Sequence, residues 1–121
     1  MTLTEDLTEK PLISEYTTEA FRFKETLYPH NILILPSGEV LPWAVQDLAH
    51  MSVEDCKKIM QYKPEIVIIG TGALHQLPDL SIVRYFSDYN RGVEIMNTSA
   101  ACRTYNVLAL EGRLVVAGLI L

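Results

Sequence analysis

The chain has 121 residues, 49% of them hydrophobic and 21% charged, with a formal net charge of −5 at neutral pH. That length and composition describe one globular domain and exclude a disordered chain, since halves of it would be too small to bury adequate cores. The acidic balance removes any general attraction to nucleic acid or anionic lipid, and no apolar run approaches the roughly 20 residues of a membrane-spanning helix, so neither nucleic-acid binding nor stable membrane insertion is expected.

Residues 1–12 are rich in Thr and Glu, contain Pro11 and carry no hydrophobic period, which predicts a flexible N-terminal tail ahead of a single domain at 13–121. The opening residues lack both the basic and apolar regions of a secretory signal and the Arg-rich character of an organellar presequence, so a cytoplasmic location is expected. From Ile13 to Leu35, Phe21-Arg22-Phe23 alternates and Ile32-Leu33-Ile34-Leu35 is continuously apolar before Pro36-Ser37-Gly38, predicting a β-rich N-terminal portion with tight turns. Trp43, after Pro42, is expected either to fill a gap beneath that N-terminal sheet or to mark a partner surface.

Ser52 followed three residues on by Asp55 is a helix start, and Val53, Cys56, Ile59 and Met60 keep helical spacing, predicting about three turns that stop before Pro64. Ile66-Val67-Ile68-Ile69 is a β-branched run leading into Gly70-Thr71-Gly72, as in a strand buried on both faces. A second helix is predicted over 79–90, with Ile82, Phe86 and Tyr89 on its buried face and Gly92 as its stop. Val93–Met96 is a second buried strand, parallel to the first. Asn97-Thr98 leads into a third helix reaching about Glu111, with Tyr105, Leu108 and Leu110 at packing positions, and Val115–Leu121 is the closing strand. Strand, helix, strand, helix, strand is the order of a layered α/β domain.

In such a sheet the loops after the parallel strands share one crevice, which gathers Gly70, Thr71, Gly72, Asn97, Thr98, Ser99, Cys102 and Arg103 as the ligand or anion-binding set. Glycine at 70 and 72 admits a ligand close to the backbone or serves a tight turn; the GxGxxG spacing and acidic ribose partner of a dinucleotide site are absent. Thr98 is read as the cap of the third helix, whose small first-turn residues offer free N–H groups to an anion. Arg103 either joins that pocket or pairs with Glu94 or a surface carboxylate. Cys102 near the helix start would favour a thiolate if exposed, but lacks a base and suits a small buried core position. Cys56 and Cys102 have no disulfide or zinc-ligand spacing, and His30, His50 and His75 lie apart in sequence. No catalytic residue is assigned, and no metal or cofactor is expected.

The run Val93-Glu94-Ile95-Met96-Asn97-Thr98-Ser99-Ala100-Ala101-Cys102-Arg103-Thr104-Tyr105-Asn106-Val107-Leu108, preceded by Ile68-Ile69-Gly70-Thr71-Gly72 and continued by Glu111-Gly112-Arg113, resembles the Mth nine-three-eight-like domain family. Leu35-Pro36 and Pro42-Trp43 extend the likeness over most of the chain beyond the tail. The resemblance implies a three-layer α/β fold with a mixed central sheet, flanking helices and an additional N-terminal β portion. It implies little about chemistry: most bacterial and archaeal members have no assigned activity, and a mitochondrial relative is an assembly factor for respiratory NADH dehydrogenase, complex I. A non-catalytic interaction or assembly factor with a protein partner is therefore the first reading. An enzyme or small-molecule binder using the crevice is the alternative, and a structural homo-oligomer the third reading.

Overall fold

Residues 12–121 are those that the structure, a computed structural model, describes; the predicted tail, save Leu12, lies outside the described residues. Along them run β1 (Ile13–Tyr16), β2 (Phe21–Phe23), β3 (Thr26–Tyr28), β4 (Ile32–Ile34), β5 (Val40–Pro42), α1 (Val53–Met60), β6 (Ile66–Thr71), α2 (Leu80–Asp88), β7 (Gly92–Met96), α3 (Thr98–Leu110) and β8 (Val115–Ile120). The first three strands form a small antiparallel sheet, and in the turn between β2 and β3 Lys24 and Glu25 take positive φ. The other five form a mixed sheet in the order β5-β4-β8-β6-β7, with β8 antiparallel to β4 and parallel to β6.

Strand alternation sends the two faces of the mixed sheet into two cores. Leu33, Val67, Ile69, Val116 and Ile120 point to the face covered by α1, α2 and the 43–51 segment. Ile32, Ile34, Ile68, Ala117 and Leu119 point to the other face, covered by α3 and the small sheet through Phe21, Phe23 and Tyr105. The three layers agree with the expected architecture: helices, mixed sheet, then helix with the additional β portion. Burial on both faces explains why β6 and β8 read as unbroken apolar runs.

Several local expectations are corrected. The first helix has eight residues, a little over two turns, because Lys63 adopts a left-handed φ of 52° after Met60 and turns the chain toward Pro64. Its capping box is present, with Ser52 and Asp55 exchanging hydrogen bonds. Helix α2 ends at Asp88, so Tyr89 falls beyond the buried face and meets Tyr85 in a tilted ring pair, 4.8 Å between centroids. The left-handed residue after α2 is Asn90 (φ 54°), while Gly92 begins β7. Strand β7 is parallel to β6, as expected, but half exposed, because it is an edge strand with only β6 beside it.

Trp43 lies not beneath the small sheet but on the opposite face of the mixed sheet, in the core with α1 and α2. Glycine at 118 makes that possible: a Cβ built there would lie 2.5 Å from Trp43 Cη2 and 2.8 Å from two further ring carbons. No side chain fits between β8 and the indole.

Candidate functional site

The predicted crevice draws its parts from three elements that do meet, at the carboxyl ends of β6 and β8 and the start of α3. The cap of α3 is Asn97 rather than Thr98: Asn97 Oδ1 accepts the Ala100 N–H at 2.9 Å. Thr98, one residue further in, is fully buried. Its backbone N–H donates to Gly72 O at 2.9 Å, its hydroxyl accepts the Gly72 N–H at 2.8 Å, and the same hydroxyl donates to Ile120 O. A side chain here thus ties two strands and a helix together, and satisfies backbone groups that β6 and β8 leave open at their ends.

Gly70 serves the same junction. A Cβ at 70 would stand 2.9 Å from Thr98 Oγ1 and 3.1 Å from Thr98 Cα, so glycine lets the first residue of α3 sit on the sheet. Gly72 turns the chain with φ 104°, and Thr71 orders the next loop by donating to Leu74 O at 2.8 Å and accepting the Gln76 N–H at 3.2 Å.

The eight expected residues therefore do not line one crevice. Thr71 and Gly72 border a cleft of about 340 Å³ whose other walls include Leu48, Leu74 and Leu121. Ser99, Cys102 and Arg103 border a separate cleft of about 200 Å³ beside β1, with Ser14, Tyr16 and Asn106. The junction of Gly70 and Thr98 lies buried.

In the cleft beside β1, Arg103 pairs with neither Glu94 nor another carboxylate among the described residues; its Nη1 reaches back one turn to donate to Ser99 Oγ at 2.8 Å. The Ala100 N–H is taken by the cap and the Thr98 N–H by Gly72, so two of the first-turn donors already have partners. Burial pushes the Cys102 thiol up to about 12, against the smaller opposing effect of Arg103, and pushes the Cys56 thiol up to about 11. Both are protonated at neutral pH and poor nucleophiles. Tyr16 is raised as well, first by burial and then by Cys102, and its hydroxyl is buried with no hydrogen-bond partner among the described residues.

Three features escape sequence reading. Asn106 clamps β1 to α3, accepting the Ile13 N–H and donating to Ile13 O, both at 2.8 Å. Asn31 bridges Val45 O at 2.8 Å and the Leu121 N–H at 2.9 Å. Lone amides in a mixed pattern give no signal for such contacts. Third, Leu74, Leu77 and Leu80, between Thr71 and the first turn of α2, are 75%, 80% and 58% exposed. Single exposed leucines are ordinary, but three within seven residues, two in the loop and one opening α2, with Val83 also 36% exposed one turn further on, put an unusual amount of apolar side chain in solvent. The sequence spaces them three apart without saying which way they face. His75, in the same loop, is also exposed, while His30 and His50 bind Asn31 O and Asp47 locally.

Comparison with known proteins places this geometry among relatives. The family described as "protein of unknown function (DUF498/DUF598)" matches residues 13–120. A Francisella tularensis protein named "13 kDa major membrane protein" is 33% identical over 93% of this chain and 94% of its own length. A Xenopus tropicalis protein named "NADH dehydrogenase [ubiquinone] 1 alpha subcomplex assembly factor 3" is 27% identical over 98% of this chain, which spans 65% of that protein. Among solved structures, a Bordetella parapertussis protein is 32% identical with a TM-score of 0.84, over 92% of this chain and 95% of its own. A Mth938-like domain from Bordetella pertussis is 27% identical with a TM-score of 0.77, over 91% of this chain and 85% of its own. No helix among the described residues is long and apolar enough to cross a membrane.

Proposed function

We infer, from the premise that this chain belongs to the DUF498/DUF598 family of proteins of unknown function, that it binds another protein and assists assembly of a larger complex. The observation that carries this reading is the exposure of Leu74, Leu77 and Leu80, which follow the carboxyl end of β6 through a loop whose start Thr71 orders and into the first turn of α2. A preformed loop loses little entropy on docking, and exposed leucines that become buried against a partner supply association energy in proportion to the area removed from water. Relatives named as NADH dehydrogenase assembly factors support the assembly role at the level of the family. A subunit of that respiratory complex, met at the cytoplasmic side of a membrane, is the partner this reading favours for the present chain.

Replacing Leu74, Leu77 and Leu80 together by Ser tests it. The side chains are exposed, so the thermal midpoint should move by no more than a few degrees. Recovery of an NADH dehydrogenase subunit by the tagged protein should fall at least tenfold, since truncating central apolar anchors typically removes about 2 kcal/mol or more. Equal recovery by the two proteins would end this reading, and self-association lost with the leucines would support a homo-oligomer instead.

A second reading, favoured by the bond from Arg103 to Ser99, is an anion ligand in the cleft beside β1. A guanidinium folded back toward a helix start can donate a charge-assisted hydrogen bond to an anion that also accepts from a first-turn backbone N–H. Phosphate titration followed by backbone amide shifts at Ser99–Cys102 should then saturate and be abolished by Arg103→Ala. Shifts that never saturate would dismiss the anion.

A further inference from the structure

On the α1 side of the mixed sheet, remote in the fold from the cleft beside β1, lies a pocket of about 210 Å³. Leu33, Leu41 and Trp43 form its apolar walls, while Asp55, Lys58 and Tyr62 stand on its other side. A cavity of about 150 Å³ is enough to hold benzene, so this one has room for a ring or branched side chain with a small polar head.

Three details make it more than a surface dent. Trp43 is buried and fixed, its ring edge seated where a Cβ at 118 would be, so the indole is a rigid wall. Asp55 is also fixed: its Oδ2 accepts from Ser52 N at 2.8 Å and Ser52 Oγ at 3.1 Å, leaving Oδ1 for another donor. Lys58 stands three residues along the same helix, a spacing that brings opposite charges close enough to pair, yet no ion pair joins it to Asp55 or to another described residue. A carboxylate and an ammonium, unpaired with each other, thus flank one apolar pocket a helical turn apart.

We propose that this pocket binds a free apolar α-amino acid, its side chain against Trp43 between Leu33 and Leu41, its ammonium at Asp55 and its carboxylate at Lys58. A zwitterion answers both charges at once, whereas a ligand of one charge leaves the other opposed or unmet. This site is separate from the leucine loop, and its failure would leave the assembly reading untouched.

Trp43 is the only tryptophan in the chain, so its emission reports on the pocket directly. L-Leucine should change that emission saturably at millimolar concentration or below. Leucinamide, which keeps only the ammonium, and 4-methylpentanoate, which keeps only the carboxylate, should each bind roughly tenfold more weakly. Lys58→Gln, at an exposed position, should weaken leucine and 4-methylpentanoate but not leucinamide. Asp55→Asn, which keeps an acceptor for the Ser52 cap, should weaken leucine and leucinamide but not 4-methylpentanoate. No saturable change with leucine, or leucine binding no better than either analogue, would overturn the proposal.

Discussion

Thr98→Val destabilises the domain by about 2–6 kcal/mol, whereas Thr98→Ser costs about 1 kcal/mol. Valine keeps the shape of threonine but has no hydroxyl, so the Gly72 N–H and Ile120 carbonyl are both left without that partner in a site closed to water. Each buried polar group stranded in this way costs about 1–3 kcal/mol. Serine restores both bonds and gives up one buried methyl, worth about 1 kcal/mol. Chemical denaturation of the three proteins decides the matter through their midpoints. A valine variant no less stable than the serine variant would mean that the hydroxyl does not hold β6, β8 and α3 together.

Gly118→Ala and Trp43→Leu each destabilise the protein, and the double variant costs less than the two together. Alanine at 118 drives a methyl into the indole, where the nearest ring carbons stand at 2.5 and 2.8 Å. Overpacking of this order costs about 1–3 kcal/mol when neighbours cannot yield, and here the neighbour is a buried ring packed against the central strand. Leucine at 43 alone leaves a void above Gly118 and costs about 2–4 kcal/mol. Together the added methyl occupies part of that void, so a coupling of about 1 kcal/mol or more is expected from the double-mutant cycle. Strict additivity would show that the two positions do not meet.

Both positions illustrate what the sequence discloses and what it does not. Ile66–Ile69 and Val115–Ile120 announced strands because a segment buried on both faces needs no polar alternation, and the resemblance carried by 93–108 placed them in a mixed sheet of the right class. Tyr89 and Gly92 misled because a pattern of apolar spacing does not say where a helix stops; Asn90 could adopt the left-handed turn that glycine was expected to supply. Thr98 has the residue type of a cap. The neighbouring Asn97 competed for the same role and took it, which freed Thr98 to be buried.

The candidate site was legible as a neighbourhood rather than as a surface. Sequence order alone brings the loops after β6 and β7 to one sheet edge, and they do meet there. Whether the meeting leaves a gap depends on side-chain depth, and the Thr98 hydroxyl fills what two glycines opened. Trp43 and Gly118 stand 75 positions apart in the chain, with nothing in either local pattern to link them. The outward leucines likewise leave no mark in the sequence, since a loop has no period from which to infer a face.

The position of β8 has a bearing on how the protein is made. It is the middle strand of the five, flanked by β4 and β6, yet it is the last of the five to be synthesised. Until Ile120 has joined the chain, β4 and β6 have no shared neighbour, and their β-branched edges stand open to other nascent chains. Most of the lasting long-range pairing must therefore wait for one late event, which favours folding in a single concerted step over assembly strand by strand from the ribosome.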